Sequence, residues 1–287
     1  MNIVLNVVLI RGLGPVPALG TRGAAVGTAI ASGITGLIFV WLLFSDRLVI
    51  RFSRAMSFRP DWQIIRSLFR FGLPAGFQGI AMNLGGVLML RFIGSLRYSA
   101  EAQAAYSVAY TELFSLITWT SVGLMGATAA VAGQNLGAGY PERSAQSTYV
   151  ASLMGLGVAV GIGLLFVAVP RTLLSVFGMT DGIVVDIGVE LLWYLAFSGL
   201  FVTVALAYTG GLKGTGDTKS PLYISIISQV VVPLGLCAAI QATSGLETHD
   251  VWVAIVIGHV SRCVLSVIRF RQGRWRTIRV DIGSAQV

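Results

Sequence analysis

Two glutamates stand inside long apolar stretches of the sequence, where a carboxylate is unusual. Glu112 lies in AYTELFSLITW, and Glu190 lies in VDIGVELLWYL. An ionisable side chain inside a membrane span costs about 3 kcal/mol or more, so such a residue is a functional candidate by default. A buried carboxylate can hold a proton or another cation and release it in exchange for a cationic solute. Glu112 and Glu190 are therefore the candidates for an ion-coupling site.

Each glutamate also has a purely structural interpretation. Glu112 could lie at the outer membrane surface, either in water or paired with Arg97. Glu190 could join Asp181 and Asp186, which precede it, in an acidic outer rim. The sequence leaves both interpretations open for both residues.

Four uncharged side chains could line a cavity for an organic solute. They are Gln78, Asn83, Tyr110 and Trp119. Two of them are amides, and amides inside a membrane can either face a polar cavity or hydrogen-bond neighbouring helices together. Both roles remain open for Gln78 and Asn83.

The last apolar stretch contains two further ionisable residues, His259 and Arg262. We expect the neutral imidazole of His259 to hydrogen-bond a neighbouring helix. Arg262 lies about one turn nearer the inner surface, and we expect its long side chain to extend its charged end to that surface.

The sequence does not favour an enzyme. It has two histidines and 12 acidic residues that are scattered along the chain, with no spacing typical of a metal site. The two cysteines, Cys237 and Cys263, fall at different depths of two apolar stretches, so we expect free thiols that pack as small hydrophobic groups. We therefore expect neither catalysis, nor a metal site, nor an organic cofactor.

Composition indicates a membrane protein with many spans. The 287 residues are 55% hydrophobic and only 11% charged, whereas soluble domains carry about 25% charged residues. The net charge of +8 does not indicate a nucleic-acid partner, because most lysines and arginines fall in loops on one side of the predicted topology. This asymmetry is typical of cytoplasmic loops, and it places the carboxy terminus in the cytoplasm.

Apolar runs long enough to cross a bilayer, about 20 residues each, predict seven full spans and one partial span. The full spans cover roughly 23–44, 69–95, 104–132, 146–169, 183–211, 221–242 and 251–270, and residues 1–10 form the partial one. We predict an all-α polytopic membrane protein. Its parts are an amino-terminal segment 1–44, a basic amphipathic surface linker 45–68, a six-helix lobe 69–270 and a fraying cytoplasmic tail 271–287.

Small residues predict where helices approach closely. Four pairs of glycines are spaced four residues apart, which is typical of close helix contacts in membranes. The pairs are Gly23 and Gly27, Gly72 and Gly76, Gly157 and Gly161, and Gly210 and Gly214.

Three short motifs connect these spans. Thr209–Pro221 reads TGGLKGTGDTKSP, Val131–Gly139 reads VAGQNLGAG, and the helix that begins the six-helix lobe contains Leu-Pro-Ala around Pro74. Together, in this order and at this spacing, they resemble the loops and helices of the multidrug and toxic compound extrusion (MATE) transporters. The resemblance covers essentially the whole chain.

The motif residues have expected structural roles. Gln134 and Asn135 can hydrogen-bond helix ends, and Gly137 and Gly139 can supply a helix-terminating turn. Asp217 can cap the next helix or pair with Lys219. The full set of expected structural positions is Pro74, Gly133, Gln134, Asn135, Gly137, Gly214, Gly216, Asp217 and Pro221.

The resemblance implies a secondary active transporter in the bacterial inner membrane. Such a protein exports amphipathic, mostly cationic, organic solutes in exchange for H⁺ or Na⁺, which are its only cofactors. In some branches, two helices of this lobe carry coupling carboxylates. Here those regions read Met82-Asn83 and Phe201-Val202, which puts cation binding by this lobe in doubt. The alternatives are a truncated lobe that does not transport and a flippase of lipid-linked sugars.

The resemblance also implies two six-helix lobes. The chain resembles the second lobe preceded by the end of the first, and a weak internal repeat supports the same alignment. We therefore favour a fragment or truncated product, and a half-sized relative is the alternative. Its partners would be the lipid bilayer, a small-molecule substrate, and either a second copy or a missing first lobe.

Overall fold

The computed structural model of the chain describes residues 1–13, 16–45, 47, 59–180 and 182–278. The chain divides into two compact units, Met1–Asp61 and Trp62–Val287. The described residues are nearly all helical and contain no β-strand. The predicted all-α class is therefore confirmed.

The first unit contains a helical hairpin. Helix α1 spans Asn2–Arg11 and helix α2 spans Thr21–Phe44. The two helices approach closely at Gly23, where an added Cβ would lie 2.6 Å from the carbonyl carbon of Leu9. The Leu19 N–H also donates to the Leu9 carbonyl at 2.9 Å. The face of α2 that contains Gly23 therefore sets the distance between the two helices of the hairpin.

The second unit is a bundle of longer helices. Helix α3 spans Trp62–Ile93; α4, Ser99–Ala105, continues through a π-helical segment, Tyr106–Leu113, into α5, Ser115–Gly137; α6 spans Pro141–Ala168 and α7 spans Pro170–Ser175. Helix α8 spans Ile183–Gly214; α9, Lys219–Ile226, continues through a second π-helical segment, Ile227–Val231, into α10, Val232–Thr243; α11 spans Thr248–Arg271 and precedes a 3₁₀ turn, Arg274–Thr277.

Seven helices in the described part of the chain are long and apolar enough to cross a membrane. One is α2, and the other six form the second unit. The short apolar helix α1 is the expected partial span. The predicted count of seven spans plus a partial one is confirmed.

Helix α8 lies at the centre of the second unit. It is apolar on all sides, as expected of a helix surrounded by other helices, and α5, α6 and α11 pack around it. Leu191, Leu192 and Leu195 are fully buried there. Helices α5, α6 and α11 are therefore positioned by their contacts with α8, whereas α3 packs mainly on α9.

Only two of the four predicted glycine pairs lie at helix contacts. Gly23 with Gly27 and Gly210 with Gly214 face another helix closely enough that a Cβ would clash. In the described part of the chain, no atom of a neighbouring element lies within 4 Å of the Cβ positions of the other two pairs, Gly72 with Gly76 and Gly157 with Gly161. The prediction is wrong for those pairs, because spacing alone does not say which face of a helix has a neighbour.

Two boundaries differ from the sequence prediction. Helix α3 begins at Trp62, so the last part of the predicted 45–68 linker belongs to this helix. The amphipathic helix was predicted in this linker, and residues 46 and 48–58 of it lie outside the described residues. The tail was expected to fray, but its first turn packs on α11. Trp275 is 1% exposed, stacks on Phe270 with ring centroids 4.8 Å apart and donates its indole N–H to the Phe270 carbonyl at 2.8 Å.

Candidate functional site

A cavity with apolar walls and several polar side chains lies in the second unit, and we call it the lobe cavity. Its volume is about 390 Å³, and α3, the α4–α5 span, α8, the second π segment and α11 contribute to its lining. Its apolar walls include Met82, Met125 and Val202. Its polar lining consists of Gln78, Tyr110, Thr118, Lys213, Gln229, His259 and Arg262.

A second cavity of about 280 Å³ adjoins the first, and we call it the side cavity. The two share Met82, Tyr110, Gln229 and His259 in their linings. Asn83 lines the side cavity only. The shared residues therefore form the boundary between the two spaces.

The first π-helical segment directs aromatic side chains toward these cavities. Tyr106 and Tyr110 stack with ring centroids 4.7 Å apart and planes 9° apart. Tyr106 also stacks on Trp252 of α11 at 6.2 Å. π-Helical turns are frequent at functional sites, and here the segment brings Tyr106 and Tyr110 into the lining of the side cavity.

The second π-helical segment precedes Pro233. Proline has no N–H, so the carbonyl of Gln229, four residues earlier, loses its usual helical donor. Helix α11 approaches this segment at Gly258, where an added Cβ would lie 2.6 Å from the Ser228 carbonyl oxygen. The irregular backbone thus places Gln229 beside His259 in both cavity linings.

His259 is fixed between α8 and α11. Its Nδ1 lies 2.6 Å from the hydroxyl oxygen of Ser198, and both residues are buried. The tautomer of His259 decides which of these two atoms donates the hydrogen bond. His259 also stacks near Phe114, with centroids 5.9 Å apart. The expected hydrogen bond from His259 to a neighbouring helix is therefore present.

Arg262 does not extend to the inner surface, so that expectation is wrong. The residue is 8% exposed, and its Nε atom is buried without a hydrogen-bond partner. Helix packing around α11 encloses the side chain, which lines the lobe cavity together with the half-buried Lys213. None of the described residues that line this cavity is acidic.

The structure brings three of the four solute candidates to these cavities. Gln78 is 6% exposed and donates to the hydroxyl of Ser225 at 2.6 Å and to the carbonyl of Pro221 at 3.3 Å. It therefore lines the cavity and also connects α3 to α9. Asn83 donates to the Gly79 carbonyl of its own helix at 3.0 Å, and Tyr110 lines both cavities.

The remaining candidates lie elsewhere. Trp119 is 73% exposed and Glu112 is exposed on the same span, whereas Glu190 is half-buried near the start of α8. None of the three lines either cavity. Arg97 does not pair with Glu112 but lies over the ring of Tyr98 at 5.5 Å. Among the described residues, no three His, Cys, Asp or Glu side chains converge as metal ligands would.

The two glycine motifs contact each other at one end of the bundle. A Cβ added to Gly133 would lie 2.6 Å from the carbonyl oxygen of Gly214, and a Cβ on Gly214 would lie 2.7 Å from the Cα atom of Ala129. Helices α5 and α8 can therefore approach this closely only with glycine at both positions. We call this contact the glycine seam.

Asp217 connects the second motif to two helices. Its carboxylate accepts the Ser220 N–H at 3.1 Å and the Ser220 hydroxyl at 2.8 Å, which caps the start of α9. It also accepts from the Arg269 guanidinium of α11. The expected cap is present, and the ion pair is made with Arg269 rather than with Lys219.

The other motif residues terminate or begin helices. Asn135 donates to the Val131 carbonyl at 2.8 Å, and the Gln134 carbonyl accepts the N–H of Ala138 at 3.0 Å. Of the two glycines expected to end the helix, Gly139 supplies the left-handed turn with φ of +81°, whereas Gly137 is still helical. The remaining motif residues are Pro74 inside α3, Gly216 with φ of +90°, and Pro221 in the first turn of α9.

Comparison with known proteins identifies the family. A sequence model of the MatE family matches residues 74–238, which is more than half of the chain. The chain belongs to the MATE family. The matched region contains both glycine motifs and most of the lining of the lobe cavity.

Two relatives and one solved structure illustrate the similarity. A "Probable multidrug resistance protein NorM" of Deinococcus radiodurans is 30% identical over 255 residues, which cover 86% of this chain and 54% of the relative. An "Uncharacterized transporter YisQ" of Bacillus subtilis is 26% identical over 284 residues, which cover 96% of this chain and 59% of the relative. The structure of an outward-facing multidrug resistance MATE transporter of the MOP superfamily shares the fold with a TM-score of 0.85 and 20% identity. The match covers 96% of this chain and 61% of that structure. The chain thus spans about half the length of the MATE relatives it matches.

Three polar residues of the MATE lobe cavity were not singled out for a binding role in the sequence, namely Thr118, Lys213 and Gln229. His259 and Arg262, which also line it, were expected to have structural roles only. Gln229 lies four residues before Pro233, and Lys213 lies in the glycine-rich motif. The first could have been found from the rule that a helical proline frees the carbonyl four residues earlier. Lys213 was read as a charge at the membrane surface, and nothing in its sequence neighbours shows that it reaches inward.

Proposed function

We propose that this MATE lobe forms half of a secondary active transporter that exports amphipathic organic solutes across the bacterial inner membrane. The observation that carries the proposal is the lobe cavity, which combines amides and stacked aromatic rings with apolar walls inside a lobe of this family. Cavities of this composition suit organic ligands with a few polar groups. The names of relatives as multidrug resistance proteins support the same substrate class.

Export would be coupled to inward movement of H⁺ or Na⁺, and the solutes would include cations. Glu112 is the first candidate for the coupling group, and Glu190 is the second.

Glu112 and Trp119 are seven residues apart and are both exposed, so they lie on one face of their span. Because a carboxylate that faces lipid is costly, we propose that water or a second lobe covers this face.

Transport by alternating access would need a second lobe, because such transporters move one bundle against another around a site between them. We propose that this partner is either a first lobe of the same protein or a second copy of the chain. The carboxy terminus would lie in the cytoplasm, where the basic residues of the last turn of α11 are expected.

Two alternatives make different predictions. A lobe without a partner would insert into the membrane but would not transport. A flippase of lipid-linked sugars would need positive charge in its cavity to hold a pyrophosphate group, and Lys213 and Arg262 are the observation that favours it.

The test uses inside-out membrane vesicles from a bacterial host that lacks its own drug exporters. With the chain present, we expect ethidium uptake above that of vector-only vesicles, and we expect a protonophore or the absence of Na⁺ to abolish it. Uptake by this chain alone requires that two copies pair. Uptake at the vector level, despite insertion of the chain, would leave either a lobe that does not transport or one that needs a separate first lobe. Faster transbilayer movement of a fluorescent lipid pyrophosphate, without ethidium uptake, would favour the flippase.

A further inference from the structure

Arg262 is a buried cation that has no partner in the described part of the chain. The residue is 8% exposed, its Nε atom has no hydrogen-bond acceptor, and no carboxylate forms an ion pair with it. It lies nine residues before Arg271, the last residue of α11, which places it roughly 13 Å along the helix from that end. The guanidinium therefore sits well inside the span.

A second cation lines the same cavity. Lys213 contributes to the lobe cavity from the last turn of α8, and no described acidic residue lines the space. The four arginines that lie over aromatic rings in the described part of the chain do not include Arg262. Neither a carboxylate nor a ring therefore balances the charge of Arg262.

This arrangement is unfavourable when the cavity holds no anion. A buried charge without a partner costs several kcal/mol in general, and two like charges in a medium of low dielectric constant repel each other. A guanidinium and an ammonium that face one space provide donors for an oxyanion, and hydrogen bonds between charged partners are the strongest that proteins make.

We propose that the lobe cavity binds an anionic group, a carboxylate or a phosphate, between Arg262 and Lys213. The Gln229 amide and the His259 imidazole add polar groups to the same lining. The apolar walls suit an aromatic or alkyl body attached to the anion. The ligand class is therefore an amphipathic organic anion or the headgroup of an acidic lipid.

This inference goes beyond the proposed export function and is tested without transport. Binding to the purified chain depends on the cavity alone. Ethidium export could fail while anion binding is observed, or the reverse, so the two proposals can be overturned separately.

The experiment measures thermal unfolding of the purified full chain in detergent, in buffer without other carboxylates or phosphate. Benzoate is the probe, and benzyl alcohol, which has the same ring but no charge, is the matched ligand control. We expect benzoate to raise Tm in a saturable way and benzyl alcohol to have no such effect. Equal effects of the two ligands would overturn the proposal.

Substitutions locate the site. Arg262→Met should raise the benzoate concentration needed for half of the Tm increase at least tenfold, as expected for loss of a charge-assisted hydrogen bond. Lys213→Gln should raise this concentration by a smaller factor. Arg271→Gln removes an exposed arginine of the same helix and should leave half-saturation unchanged. Benzoate binding that is unaffected by Arg262→Met would contradict the assignment.

The same variant carries a second readout that does not need a ligand. Because Arg262 is unpaired, Arg262→Met should raise Tm in the absence of benzoate, whereas removal of an ordinary structural arginine would lower it. If Arg262→Met does not fold, Arg262→Lys replaces it, with weaker benzoate binding expected because an ammonium cannot make the two parallel hydrogen bonds of a guanidinium.

A final comparison identifies the source of the anion. The chain is placed in lipid nanodiscs of phosphatidylcholine alone or with phosphatidylglycerol. An increase in Tm with benzoate in both lipid compositions supports an organic anion. An increase in Tm with phosphatidylglycerol that Arg262→Met removes supports a lipid headgroup. Absence of both effects would overturn the proposal.

Discussion

Asp217 and Arg269 join two distant parts of the chain through a double hydrogen bond. The Asp217 Oδ2 atom accepts from Nε of Arg269 at 2.9 Å and from its Nη2 at 2.7 Å. The aspartate side chain is 5% exposed and the arginine side chain is 23% exposed. The turn after α8 and the last turns of α11 are therefore held together by a largely buried ion pair.

Replacement of Asp217 should destabilise the lobe through this ion pair. Asp217→Asn keeps a good helix-capping side chain but leaves the Arg269 charge without its partner, so we expect a loss of about 1–3 kcal/mol. Thermal unfolding in detergent measures it. Lys219→Gln is the matched control, since Lys219 is exposed. If Asp217→Asn and Arg269→Gln had fully additive effects in the double variant, the two residues would not be coupled.

The glycine seam should tolerate no side chain. Gly214→Ala would place a Cβ 2.7 Å from the backbone of α5, which cannot move aside as a flexible side chain could, and we expect a loss of about 1–3 kcal/mol. Gly157→Ala is the matched control, because its Cβ position has no neighbour within 4 Å. That substitution should be neutral or should stabilise α6 by up to about 1 kcal/mol. Equal unfolding temperatures for the two variants would contradict the seam.

Glu112 should be required for coupling if the proposed antiport is right. Glu112→Gln removes the charge with little change of shape, so ethidium uptake into inside-out vesicles should fall to the vector level while insertion in the membrane is unchanged. Glu101→Gln, in the adjacent helix α4, is the control and should leave uptake intact. Normal uptake by Glu112→Gln would shift the coupling role to Glu190, whose glutamine variant is measured in the same assay.

The ends of α11 should lie on opposite sides of the membrane. Arg269 and Arg271 in its last turn favour the cytoplasm. In a variant with both native cysteines replaced by serine, Gln272→Cys should react with an impermeant maleimide only after the inner face is opened. Ser244→Cys, exposed before the start of α11, should react in intact cells. Labelling of Gln272→Cys in intact cells would reverse the topology.

The spans were predictable because membrane helices are recognised by length and hydropathy alone. The faces of those helices were not. In the apolar span that contains Glu112, the sequence does not say whether this side chain faces the bundle interior or its surface. The structure places it on the surface. Identical glycine spacing likewise marked four pairs, of which two have neighbours.

The cavity itself could be predicted only in part. Gln78 and Tyr110 were candidates because polar side chains in apolar runs are unusual. Arg262 was expected at the surface because long basic side chains usually reach water, and the rule fails here because neighbouring helices enclose it. The two π-helical segments leave no signature in hydropathy, so the position of Tyr106 could not be predicted, whereas Pro233 gave a signal for Gln229.

The packed turn at Arg274–Thr277 has a practical consequence for handling the protein. Trp275 closes over Phe270, and Arg276 pairs with Glu142 at 2.9 Å, so this turn is part of the folded bundle. A fluorescent reporter or affinity tag fused after Ile278 leaves these contacts in place. A chain shortened to end at Arg271 would lose the indole and expose the end of the last helix to detergent, and it would be expected to purify poorly.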